Sequence, residues 1–152
     1  MPIITASGTK IEIGPVAADT VTTASQYAAL TPYVAIGRVE SYGDFGDEAA
    51  AVTFNSVGAG RIEKAKGSKD AGTLALTVGY DPQDAGQVAV EAALANINNF
   101  AFRVTFPDKS VQYFRALVMS KRRSIGSADN VIKRVFNLGI NSEILDVAAP
   151  VS

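Results

Sequence analysis

The sequence predicts a mainly β fold: an antiparallel β-sandwich or partly open β-barrel with one α-helix packed against it. Three observations carry that expectation. From Tyr33 onward, apolar and polar residues alternate in run after run. Clusters rich in Gly, Asn and Asp separate the runs at short intervals. A single stretch, residues 82–97, shows helical spacing behind a capping signature. The length, 152 residues, suits one domain, and a composition 47% hydrophobic and 19% charged supports a buried core.

Taken in order, residues 1–32 read as an N-terminal arm with one short strand. Lys10-Ile11-Glu12-Ile13 alternates before Gly14-Pro15 ends it, and Val16–Thr31 is Ala/Thr/Ser-rich. Such a segment buries too little to order itself alone, so it needs a surface to lie on. Residues 33–145 form the β domain. Val34–Ser41 reads as a strand ended by the loop Tyr42–Glu48, and Ala50–Val57 sets Val52 and Phe54 on one face. Gly58-Ala59-Gly60 turns into Arg61–Lys66, and Gly67–Gly72 turns into Thr73–Tyr80, where Leu74, Leu76, Val78 and Tyr80 share a face.

The helix expected over 82–97 has Asp81 as N-cap, Pro82 at its first position and Asp84 in its first turn. Val90, Ala93, Leu94 and Ile97 form its apolar stripe, and Ala85, Ala89 and Ala92 allow close approach to a neighbour. Phe100, Phe102, Val104 and Phe106 then alternate, Pro107–Ser110 turns, and Val111–Met119 returns. A basic loop, Lys121–Asn130, leads to a last long strand, Val131–Ile140, and residues 146–152 form a small-residue tail. The count is about eight strands and one helix, with no internal repeat.

Several chemistries are excluded by composition. The chain has no His and no Cys, which removes Ser-His-Asp and Cys-His catalysis, thiolate or imidazole zinc sites, and disulfides. Fourteen Lys+Arg against fifteen Asp+Glu give a net charge of −1, unlike a protein that grips phosphates. Met1–Ala6 lacks the basic start of a secretion signal, and the charge-free run Thr20–Gly37 is too polar for a membrane span. The expectation is a soluble chain made in a reducing cytoplasm.

Four local patterns invite a chemical reading. Ser7-Gly8-Thr9-Lys10 matches Ser-x-x-Lys, whose serine must begin a helix so that lysine lies one turn on; here it precedes a strand. Asp44, Asp47 and Glu48 place three carboxylates in five residues, but without the alternating oxygen ligands of a calcium loop. Gly58-Ala59-Gly60 has no helix behind it to hold a phosphate. Lys121-Arg122-Arg123, with Lys133-Arg134, is the densest basic patch and lacks interleaved aromatics for nucleic acid. It suits an acidic protein surface, such as the Tyr42–Glu48 loop of another copy. Arms that cannot bury themselves and sheet edges without covers point to a subunit of an assembly.

The strings Ile36–Glu48, Lys66–Thr77 and Tyr80–Gln87, with Phe114–Ser120 and Arg134–Ile140, resemble the major tail tube proteins of long, non-contractile phage tails. The most specific piece is the Asp-Pro-x-Asp-Ala-Gly-Gln helix start at Asp81–Gln87. The resemblance implies the phage tail tube fold and a structural virion protein, not an enzyme. It implies hexameric rings stacked into a tube assembled in the bacterial cytoplasm, with sheets of six neighbours joined around a bore. Implied partners are other copies, tape-measure, tail terminator and distal tail proteins; DNA passes through without specific binding, and there is no cofactor, metal or membrane. It further implies contacts between subunits or rings at both termini and at the loop holding Tyr42, Asp44, Phe45, Asp47 and Glu48, and the charge pattern adds Lys121, Arg122 and Arg123 as a basic counterpart. The alternative is a small β-sandwich binding carbohydrate or a host surface. Such sites display exposed aromatics, whereas this chain has no Trp and its Phe residues fall at core positions of strands.

Overall fold

The computed structural model describes residues 7–148 apart from 56 and 59. Met1–Ala6, Ala59 of the expected glycine turn and residues 149–152 of the tail lie outside the described residues. Ten strands and two helices are present among the described residues: β1 Lys10–Val16, α1 Ala24–Ala29, β2 Val34–Ala35, β3 Val39–Tyr42, β4 Glu48–Asn55, β5 Ile62–Asp70, β6 Thr73–Gly79, α2 Ala85–Leu94, β7 Phe100–Thr105, β8 Val111–Ser124, β9 Lys133–Ile140 and β10 Leu145–Val147. Eight strands form one sheet in the order β2-β1-β7-β8-β9-β6-β3, with β10 also on β8, and β4–β5 forms a separate hairpin. All pairings are antiparallel. No described helix is long and apolar enough to cross a membrane.

The sheet is organised by its longest strand. Val111–Ala116 of β8 pairs with β7, whereas Ala116–Ser124 pairs with β9 on the other side. One half-sheet is therefore β2-β1-β7 with the start of β8, and the other is the end of β8 with β9, β6 and β3. Their inward residues meet in one core: Ile11 and Ile13, Phe102 and Phe114, Leu74 and Leu76, Phe136 and Leu138 are all buried. The rings of Phe102 and Phe114 stack at 5.6 Å. The alternation read from β6 and β9 is the imprint of burial on one face only, whereas β7 also buries Ala101 on its outward face.

The core is closed by α2, and the residues at its start explain its position. The N-cap is Asp84 rather than Asp81: Asp84 Oδ2 accepts from Gln87 N–H, and also from Gly37 N–H, both at 3.0 Å. Asp81 instead stabilises the preceding turn by accepting from Gln83 N–H. Gln87 is almost fully buried, yet its amide donates to the carbonyls of Gly37 and Gly79 and accepts from Asp81 N–H. A polar side chain is tolerated there because each of its groups finds a partner. Gly86 lets the helix touch the backbone of β2, since a Cβ would sit 2.1 Å from Ala35 O. The close approach thus comes from Gly86, and Ala85 and Ala92 are exposed. The helix ends at Leu94, three residues short of Ile97, which is 91% exposed.

Three other boundaries differ from expectation. The strand expected over Val34–Ser41 is split into β2 and β3 at Arg38, whose φ is 60°. The turn expected over Gly67–Gly72 is strand as far as Asp70; Gly67 fits because a Cβ would crowd Ala50 O at 3.1 Å beside a register shift. The basic loop begins later than expected, because β8 continues to Ser124 and places Lys121, Arg122 and Arg123 on a strand.

The N-terminal segment finds its surface on its own sheet. β1 is an interior strand between β2 and β7, and α1, an unexpected helix, covers the outward face of β7, β8 and β10. Thr23 and Gln26 form a reciprocal capping box. Tyr27 is buried and stacks on Tyr113 at 5.7 Å. Arg115 binds the chain before the helix by donating to the carbonyls of Ala18 and Val21. Tyr33 donates to Tyr27 O at 2.6 Å, and the Arg103 guanidinium, held by Glu12, lies over its ring at 4.4 Å.

Three outcomes are expected. Gly86→Ala must push α2 off β2 and should lower stability in urea by about 1–3 kcal/mol. Gly58→Ala, at a position with open space around it, should stay within about 0.5 kcal/mol. Burial, then the neighbouring Tyr113, pushes the Tyr33 phenol up from 10.0 to about 12, against the opposing pull of Arg103. The neutral phenol is thus favoured in the folded state, so its contribution is complete below pH 10 and is lost as pH rises towards 12. Tyr33→Phe should flatten the pH dependence of stability in that window, as followed by α1 fluorescence or exchange.

Candidate assembly interface

The half-sheet of β3, β6, β9 and the distal part of β8 is uncovered in ways the other half is not. β3 is the last strand of the sheet, with β6 on one side and no described strand on the other. Distal β8, from Leu117 to Ser124, pairs with β9 on one side only. Alternate backbone N–H and C=O groups along both strands therefore face outward without a ladder partner among the described residues. The face of this half-sheet opposite the core carries Ser41, Thr77, Asn137 and Ser120, small polar residues on which no described helix packs.

The two ends of the half-sheet differ in charge. The β4–β5 hairpin leaves between β3 and β6, at the end marked by Tyr42 and Thr73, and brings Asp44, Asp47, Glu48 and Asp70 with it. At the opposite end stand Arg38, Lys133, Arg122 and Arg123, because Gly79 and Ser124 both pair with Lys133. Seven residues of β6 separate the ends by roughly 20 Å at about 3.3 Å per residue. The acidic loop and the basic strand, which the sequence suggested as counterparts, are thus set at opposite poles of one chain.

Not all of the expected interface residues are free. Tyr42 is half-buried, donates to Thr9 O at 3.2 Å, and its phenol is pushed above the ordinary tyrosine range by that burial. Phe45 packs against Phe114 at 5.8 Å and closes the core. Asp44, Asp47 and Glu48 are exposed, and among the described residues no three acidic side chains converge as a metal site would require. Lys121 lies 3.3 Å from Glu91 of α2, and Lys133 lies 2.7 Å from Glu40. Arg122 and Arg123 are exposed with no acidic partner among the described residues. Cross-strand neighbours put Arg123 beside Arg134 and Arg122 beside Val135, on opposite faces, so the basic run is divided by the pleat.

Sequence reasoning missed the apolar residues left outside the core. Val52, Phe54, Val57 and Ile62 are exposed on the hairpin, as are Tyr80, Ile125, Val131 and Ile132 at the other pole. Their alternation was legible, but alternation does not show whether a face is covered.

The family model for the lambda phage tail tube protein matches residues 20–142. The chain belongs to the lambda phage tail tube protein family. It is a structural, non-enzymatic protein of the tail tube. The tail tube fold is shared with the SPP1 tail tube, at 20% identity and a TM-score of 0.69 over 99% of this chain and 81% of that one. The tail of an empty gene transfer agent particle, refined with C6 symmetry, matches at 14% identity and a TM-score of 0.66, covering 96% of this chain and 100% of that one. A chain of the anti-feeding prophage baseplate matches at 9% identity and a TM-score of 0.69, covering 99% of each. No curated protein matches the chain in sequence.

Proposed function

We propose that this tail tube protein closes into hexameric rings by pairing β3 of one copy with distal β8 of the next, and that the rings stack into the tube. The observation that carries this reading is the pair of partnerless edges on one four-stranded half-sheet. Because its pairings are antiparallel, its outer strands run in opposite directions, so β3 meets the next copy's β8 antiparallel. Head-to-tail joining of this kind closes when the rotation per copy divides a full turn. Six copies agree with the C6 symmetry of the gene transfer agent tail of like fold. Closure satisfies along the ring the backbone groups that a single copy leaves open.

In that ring the face carrying Ser41, Thr77, Asn137 and Ser120 lines the bore through which DNA passes. Its charges are the Glu40–Lys133 pair and Arg122, few enough that phosphates are not gripped. Tape-measure protein would meet this face, and terminator and distal tail proteins the tube ends. Stacking sets Asp44, Asp47 and Glu48 of one ring towards Arg122 and Arg123 of the next.

Two measurements test this reading. On assembly, amides of Val39–Tyr42 and Met119–Ser124 should become protected from hydrogen exchange while interior β7 stays as it was; unchanged exchange in both segments defeats edge pairing. Reversing charge at Asp47 and Glu48 to Lys should leave a folded subunit that no longer polymerises in electron micrographs, and tubes of ordinary length would remove the loop from the contact.

A further inference from the structure

We propose that Arg134, Arg123 and Tyr80 form a binding site for one carboxylate, on the face of the half-sheet opposite Ser41, Thr77, Asn137 and Ser120. Such a site belongs to the single subunit and needs no ring to exist.

Arg134 is a charge set among apolar neighbours. β9 buries Arg134, Phe136, Leu138 and Ile140 in alternation, and Arg134 is only 9% exposed. Its Nε is closed to water and makes no hydrogen bond. Among the described residues no carboxylate lies within ion-pair distance of it. The Tyr80 ring lies 3.9 Å from its guanidinium. A ring face recovers only part of what a guanidinium loses on leaving water, and arginine cannot shed its proton to escape that cost.

A second guanidinium stands opposite. Arg123 of β8 is the direct cross-strand neighbour of Arg134, exposed, and likewise without an acid among the described residues. Like charges so placed repel unless an anion lies between them. The acids closest in the fold are committed elsewhere: Glu91 to Lys121 at 3.3 Å, and Asp81 to Gln83 N–H and, at 3.8 Å, to Arg38. Buried Val78 closes the β6 side of Arg134, and Tyr80 covers one face of its guanidinium, so a ligand enters from the Arg123 side.

The pair selects a planar anion with two oxygens. Guanidinium nitrogens lie in one plane at fixed spacing and match a carboxylate fork to fork. DNA phosphates are set aside by position, an exclusion that rests on the ring reading. Asn137 and Ser120, on the proposed bore face, point opposite to Arg134 and Arg123 along the same strands.

Sodium acetate, titrated at fixed ionic strength into the dilute full chain, should move the Arg134 Nε–H and Tyr80 ring resonances to saturation, whereas sodium chloride should not. Arg123→Ala, at an exposed position, should weaken that response about tenfold, the loss of one charge-assisted hydrogen bond. Arg134→Met should abolish it without lowering stability in urea, because an unpaired buried charge is removed. No saturation by acetate overturns the proposal, as does an undiminished response in Arg123→Ala, which decides the matter should Arg134→Met not fold. A folded Arg134→Met chain that loses stability makes Arg134 a core residue only and overturns the site. Tighter saturation by inorganic phosphate or by a DNA duplex overturns the carboxylate class. In tubes washed free of acetate, Arg134 resonances at the bound position support a carboxylate from another chain of the tube, and resonances at the free position support a small soluble one. The titration needs no rings, so the site and the ring reading fail separately.

Discussion

Backbone hydrogen bonds along β8 are satisfied on both sides over Val111–Ala116 and on one side beyond. That asymmetry divides the sheet into a half whose outward face is covered by α1 and a half whose outward face is open, although β2 and β10 are edges too. In the covered half, β7 and β10 flank β8 while α1 covers the outward face through Tyr27 and Arg115. In the other half, the inward face is sealed by Phe136, Leu138 and α2, but the outward face and both edges stay open. Burial alone cannot account for this, since the same strands that build the core present the open groups. A subunit stable enough to exist alone and incomplete enough to assemble needs both conditions on one sheet.

Rigidity of the open half depends on α2. Asp84 and Gln87 fasten the helix to Gly37, just beyond β2, and to Gly79, the last residue of β6, and Gly86 brings it against Ala35. The helix thereby fixes where β3 begins, because Arg38 turns the chain from β2 to β3 with its carbonyl bonded to Gly79 N–H. An edge strand only four residues long gains little from its own ladder. Its register is supplied from behind, by polar contacts that the core protects from water.

The sequence made the β-rich core legible because its strands bury one face, and period-two alternation records that directly. It made α2 legible but misplaced its start, since Asp81 and Asp84 both have cap chemistry and only the fold shows which turns and which helix they serve. α1 was not legible: Val16–Thr31 is Ala/Thr-rich, and its order comes from Tyr113 and Arg115, distant in the chain. Lys121–Arg123 looked like a loop because charge conceals strand propensity, whereas pairing with β9 carries the backbone through it. Of the proposed interface, Asp44, Asp47, Glu48, Arg122 and Arg123 were named from charge and from the resemblance, and all are exposed. Phe45 and Tyr42 were named with them but spend their side chains inside, and the apolar hairpin face looked like core.

Polarity along the strand axis gives the assembly a direction. The same four strands carry an acidic, hairpin-bearing pole and a basic, concave pole, so reversing one copy would set acid against acid and hairpin against hairpin. The lateral pairing proposed above would be indifferent to what lies at the poles, because it would use backbone groups along β3 and β8. The proposed axial contact would be indifferent to those edges, because it would use side chains beyond the strand ends. In the proposed ring the two associations would draw on separate parts of one half-sheet, with the hairpins on one rim and the basic strand ends on the other. Weak contacts repeated around such a rim would act together, so that a contact too small to hold one copy would hold a ring.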